Sequence, residues 1–204
     1  MLGAIIGDIV GSVYEFNNYR AKDFEPFFHA EASFTDDTVC TVAVADALIN
    51  GRHPAVALRL WGMRYWDNGG WGMRFAEWLA DPEMGPYGSF GNGAAMRVSP
   101  AGLLAKSIED AIALSDRVTE VTHNHPEGMR GGAATAVAVF LARTGVAAAD
   151  MVEFQCNSRV RLGHFGAGIP NFRESTQPIK IALWLQPAIG EDDHVVHIGL
   201  RVQA

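Results

Sequence analysis

The chain has 204 residues, a net charge of −7 at pH 7, and is 49% hydrophobic and 19% charged. A chain of that length suits one domain with a sizeable core, and its composition shows no sign of disorder. The negative charge argues against a nucleic-acid footprint, which would show a basic patch, but leaves anionic small ligands open because metals can supply positive charge.

Cys40 and Cys156 are too few for a disulfide framework and neither lies in a Cys-x-x-Cys pair, so a reducing cytoplasm is the expected setting. The start, Met1 to Val10, has the outline of a weak signal core, yet it lacks a basic leader and Asp8 interrupts it. No apolar run approaches the roughly 20 residues that span a bilayer, so a soluble chain with no membrane partner is expected.

Residues 2–16 read as a helix in which Gly3, Gly7 and Gly11 recur every four residues, a spacing that lets a neighbouring helix approach closely. Asp8 and Glu15 interrupt its apolar pattern, and Glu15 stands where the helix gives way to a polar loop. Next comes Phe34-Thr35-Asp36-Asp37-Thr38, at the junction of that loop with an apolar helix running to Ile49 and stopped by Asn50-Gly51. Thr35 or Asp36 suits the N-cap, and acidic groups in a first turn are favoured by the helix dipole. A cap needs one oxygen, whereas this stretch offers two carboxylates and two hydroxyls. Asp36 and Asp37 point about 100° apart, yet at a loop-to-helix junction they could reach one hard cation, or one each.

Residues 54–80 hold a short echo, Trp61-Gly-Met-Arg-Tyr-Trp66 and Trp71-Gly-Met-Arg-Phe75, which predicts two helices joined by a Gly-rich turn with the Trp residues in the core. The stretch Gly85 to Pro100 places four glycines in nine residues ahead of Ala94-Ala95-Met96, where a helix should begin. Successive amides at such a junction form an anion cradle, and Arg97 could contact a phosphate or pair with an acid. A helix over 107–121 opens on Ser107-x-x-Asp110 and leads to His123-Asn-His125-Pro126. Histidines two apart share no helical face, so they read either as cleft residues at a helix end or as a C-cap. Met129 to Thr144 is a small-residue helix suited to the centre of a bundle. Beyond about Gln155 the helical texture fails, and 179–185 and 195–202 could be strands.

Four of these constellations together resemble the ADP-ribosylglycohydrolase family, which includes the dinitrogenase-reductase activating glycohydrolase. They are Gly3-x-x-x-Gly7-Asp8 with Gly11-Ser12-x-x-Glu15, Phe34-Thr-Asp-Asp-Thr38, Gly88-Ser-Phe-Gly-Asn-Gly-Ala-Ala-Met-Arg97, and Thr122-His-Asn-His-Pro126. The segment from Tyr65 to Leu79 also looks like a helix of that family. The resemblance implies a compact all-α multi-helix bundle over residues 1–154, and the loss of helical texture marks 155–204 as an irregular C-terminal segment that departs from it. The resemblance also implies two magnesium ions, or manganese, with Thr35, Asp36, Asp37 and Glu15 as metal ligands. Glu15, Asp36 and Asp37 would be the catalytic residues. Gly91, Asn92, Gly93, Met96 and His123 would bind an ADP-ribose-containing substrate, protein or small molecule.

The implied reaction is hydrolysis of the glycosidic bond to ADP-ribose; the rival reading is a non-catalytic ADP-ribose-binding or crystallin-like protein. The family's C-terminal Gly-Gly-Asp-x-Asp-Thr segment and the Cys-Gln-Gly-Ser-Val stretch before it have no counterpart, the nearest remnants being Cys156-Asn157-Ser158 and Ile189-Gly-Glu-Asp192-Asp193-His194. The expectation is therefore a member truncated or altered in reading frame at its end. The oligomeric state is left open.

Overall fold

The computed structural model describes residues 1–16, 19, 25–147 and 150–151. The candidate strands at 179–185 and 195–202, and the remnants of the C-terminal motif, lie outside the described residues. Among the described residues the fold is all-α, with no strand.

Helix α1 (Leu2–Gly11) ends in a 3-10 turn (Ser12–Tyr14), and α2 (Asp36–Ile49) follows the loop. Then come α3 (Pro54–Arg64), α4 (Met73–Ala80), the single-turn α5 (Gly93–Met96), α6 (Ser99–Leu104), α7 (Ile108–Thr119) and α8 (Pro126–Arg143). Several starts are set by local chemistry. Pro54 and Pro126 occupy the first helical turn, where a missing N–H costs nothing. The Ser107 side chain accepts the Asp110 backbone N–H, as a capping residue should. Helix α8 starts three residues earlier than its small-residue run predicts, because Pro126 opens the first turn and His125 caps it.

Two apolar clusters form. One gathers Val98, Ala101, Ala111, Val137 and Leu141 where α6 and α7 pack on α8. The other gathers Cys40, Ala43, Leu58, Trp78 and Leu79 where α2, α3 and α4 meet. Gly102 is the device that brings α6 onto α8: a Cβ there would lie 2.3 Å from the Ala136 carbonyl oxygen. Helix α2 is buried on most of its circumference, as its Ala- and Val-rich sequence requires. The tryptophans divide: Trp78 is buried, Trp61 and Trp71 are half-buried beside the second cluster, and Trp66 is exposed. The core expectation therefore fails for Trp66, whose 3-10 turn (Trp66–Asn68) has no buried residue. Among the described residues, no helix is long and apolar enough to cross a membrane.

Candidate active site

Three segments converge at the N-terminus of α2. Thr35 is extended and caps the helix, its hydroxyl oxygen accepting the Asp37 N–H at 3.3 Å. Asp8 reaches across from α1: its carboxylate accepts the N–H of Thr35 at 2.8 Å, the Thr35 hydroxyl at 2.6 Å and the N–H of Thr38 at 3.2 Å. A second tie holds the returning chain, where Ser12 Oγ accepts the Ser33 N–H at 3.1 Å. Because the Thr35 hydroxyl proton goes to Asp8 and one lone pair takes the Asp37 amide, a second lone pair stays free for a further partner.

Asp36 and Asp37 are half-buried in the first turn. The Asp36 carboxyl is pushed up to about 6, first by burial and then by the charges of Glu15 and Asp8, against its own amide. Asp37 is pushed up to about 7, again by burial first, then by Asp36, Asp8 and Glu15. Asp8, Glu15, Asp36 and Asp37 thus share one corner, and the ion pairs found among the described residues all lie elsewhere. The Thr38 hydroxyl is buried there with no hydrogen-bond partner among the described residues.

This donor set is all oxygen and carries negative charge with no counter-ion among the described residues, which fits a hard divalent cation. It is not a closed cage. Among the described residues no three His, Cys, Asp or Glu side chains stand close enough together to hold one metal ion.

A cavity of about 350 Å³ opens beside this corner, lined by Asp36, Gly91, Asn92, Gly93, Met96 and His123 among others. All five residues expected to bind substrate therefore face one space with Asp36, whereas Thr35, Asp37 and Glu15 do not line it. Phe75 and Arg74 of α4, Tyr87 of the following loop and Arg97 also line the cavity. Gly93 is required by its neighbour: a Cβ would lie 2.9 Å from both Cε1 and Nε2 of His123.

The site also corrects several local expectations. The run Ala94-Ala95-Met96 makes only one turn before Arg97 and α6 redirect the chain, so the dipole of a long helix is not available to the cradle. Arg97 pairs with no acid among the described residues. It is 1% exposed and donates to the Val118 carbonyl at 3.2 Å and to Thr122 Oγ1 at 2.7 Å. Thr122 Oγ1 in turn lies 2.8 Å from His123 Nδ1.

Burial, followed by the Arg97 charge, pushes His123 down to about 3, so its imidazole is neutral. His125 is not a C-cap but the N-cap of α8, its Nδ1 accepting the Glu127 N–H at 3.2 Å. Asp8, Thr122 and Tyr87 carry the site's geometry without having been assigned a role from sequence. The signals for Asp8 were its interruption of the apolar pattern and its place in the Gly7-Asp8 motif.

The sequence model of the ADP-ribosylglycohydrolase family matches residues 1–176. Two curated relatives are both named ADP-ribosylhydrolase ARH3. That of Mus musculus is 26% identical over 195 residues, covering 74% of this chain and 50% of its own length. That of Bos taurus is 26% identical over 191 residues, with the same shares of 74% and 50%. The chain thus spans about half the length of these relatives.

Proposed function

The chain belongs to the ADP-ribosylglycohydrolase family, and from that premise we propose that it is a divalent-metal-dependent hydrolase that releases ADP-ribose from a modified side chain or a small conjugate. One observation carries this reading: Asp36 belongs both to the acidic corner and to the wall of the cavity that Gly93 and His123 line. Charge chemistry and ligand space meet at that residue.

Thr35, Asp36, Asp37 and Glu15 would hold magnesium or manganese, which when bound polarises ligand oxygens and acidifies water. The chain's own groups do the rest. Glu15 is exposed at the end of its 3-10 turn and serves as the base that takes a proton from the attacking water. The field of Asp36 and Asp37 favours the positive charge that develops at the anomeric carbon as the glycosidic bond lengthens. The backbone amides of residues 91–93 and the neutral His123 ring meet the polar part of ADP-ribose, and Met96 supplies apolar contact. We place the reaction in the cytoplasm on the strength of the cysteine count.

A non-catalytic ADP-ribose binder is favoured by one observation, the lack of a three-ligand group among the described residues. Titration calorimetry with magnesium, alone and with ADP-ribose, separates the two. Two tight metal events and turnover of an ADP-ribosylated arginine or serine peptide support the enzyme. Binding of ADP-ribose with no metal event and no turnover supports the binder. In the enzyme, Glu15→Gln should lower kcat by about 100-fold or more while ADP-ribose affinity changes little.

A further inference from the structure

Arg97 is a cation buried in the wall of the cavity, 1% exposed, and among the described residues it has no carboxylate beside it and its Nε has no partner. Its terminal nitrogen is committed to two oxygens, the Val118 carbonyl and the Thr122 hydroxyl. The Thr122 side chain is itself fully buried, and its hydroxyl oxygen also lies within hydrogen-bond reach of His123 Nδ1, at 2.8 Å. An arginine only donates, so the Arg97–Thr122 bond has a fixed direction: Thr122 accepts.

The hydroxyl then has one proton left to place, and His123 Nδ1 is the only acceptor for it among the described residues. With the opposite tautomer, Thr122 would accept from both sides and its own proton would be buried without an acceptor, which costs more than a missing bond at the surface. The proton order therefore runs from Arg97 to Thr122 to Nδ1, which leaves the imidazole proton on Nε2. That nitrogen lies where a Cβ of Gly93 would come within 2.9 Å of it, and Gly93 and His123 both line the cavity.

We propose that Arg97 and Thr122 are positioning residues that hold His123 as its Nε2–H tautomer, presenting a neutral N–H donor to an acceptor oxygen of the bound ligand. The proposal rests on the reading of this cavity as the ADP-ribose site, but its tautomer half does not. Two consequences are specific. The ligand oxygen that meets His123 must be an acceptor, such as a phosphoryl oxygen or an ether oxygen. A residue that cannot relay the proton order, Val in place of Thr122, releases the ring to sample both tautomers although it keeps the shape of the pocket.

Long-range proton–nitrogen correlation spectra of the full chain, labelled with 15N-histidine, read the tautomer directly, and the His123→Asn variant assigns the signals. The expected result is the Nε2–H pattern in the native protein and in Thr122→Ser, and a mixed pattern in Thr122→Val. ADP-ribose affinity measured alongside should fall about 3- to 10-fold in Thr122→Val, the worth of one neutral hydrogen bond, and return to within about twofold in Thr122→Ser. A native spectrum showing Nδ1–H or a tautomer mixture overturns the proposal without needing any variant. So does an unchanged Nε2–H pattern in Thr122→Val. If the native protein shows Nε2–H but binds no ADP-ribose, the assignment of the cavity fails while the relay stands.

Discussion

Asp37 is held in an awkward state by its neighbours. Its ordinary value of 3.8 is raised to about 7 and that of Asp36 to about 6, so between pH 4 and 7 the folded chain binds more protons than the unfolded one. Their stabilising protonation is complete below pH 4 and is lost as pH rises through 6 to 7. In metal-free buffer, Asp37→Asn should therefore be more stable than the native protein at pH 8, by on the order of 2 kcal/mol after allowance for its partial exposure. If Asp37 holds magnesium as proposed, magnesium should stabilise the native protein and the same variant should lose that gain. Urea unfolding at pH 5 and pH 8, with and without magnesium, reads both effects; an Asp37→Asn variant less stable at pH 8 without metal would contradict the electrostatic account.

His123 works in the opposite direction. Its value falls from 6.5 to about 3, so the unfolded chain gains the proton first, and stability drains away as pH falls below 6.5. At pH 5 that loss is about 2 kcal/mol. His123→Asn removes this dependence, and the readout is the change in the native-minus-variant difference between pH 7.5 and 5, whatever its absolute level.

At the level of elements, the N-terminus of α2 depends on one threonine serving two masters. Thr35 caps Asp37 with its oxygen and donates its proton to Asp8. Thr35→Ala should cost about 1 kcal/mol for the cap, and more for the Asp8 oxygen it strands; Thr35→Ser should recover most of it, as denaturant midpoints would show. That cap was legible in the sequence because capping acts within three residues. The Ser107 cap was legible for the same reason. Asp8 was not, since its partners lie 27 and 30 residues away and no local pattern encodes a carboxylate reaching across two helices.

The roles of the two histidines were equally hidden. Spacing leaves His123 and His125 alike, whereas the fold buries one at 4% exposure beside Gly93 and hands the other to the first turn of α8. The hydrogen bonds of Arg97 were hidden because its sequence neighbours are glycines and alanines, and its partners, Val118 and Thr122, arrive from α7 and the turn after it.

Across the molecule, the candidate site draws on pieces that no single helix owns. The acids come from the α1 end and the α2 start, the aromatic wall from α4 and its loop, and His123 from the turn between α7 and α8. A ligand that bridges these pieces binds only the folded arrangement, so it must raise the unfolding temperature by mass action. At 100 times its dissociation constant the gain is about 2.7 kcal/mol, or roughly 5–10 °C for a chain of this size.

Two substitutions should divide that gain between metal and nucleotide. Gly93→Ala drives a methyl group to within 2.9 Å of the His123 ring, so it should abolish the shift from ADP-ribose and leave the magnesium shift in place. Asp37→Asn should do the reverse, weakening the magnesium shift while ADP-ribose alone still stabilises. Thermal scans of the native chain and both variants, with each ligand singly and together, give the answer. An ADP-ribose shift that survives Gly93→Ala at full size would place the nucleotide somewhere other than the cavity beside His123. Loss of both shifts in Gly93→Ala, in a variant that still unfolds cooperatively, would mean that metal and nucleotide sites are one coupled unit instead of two adjoining ones.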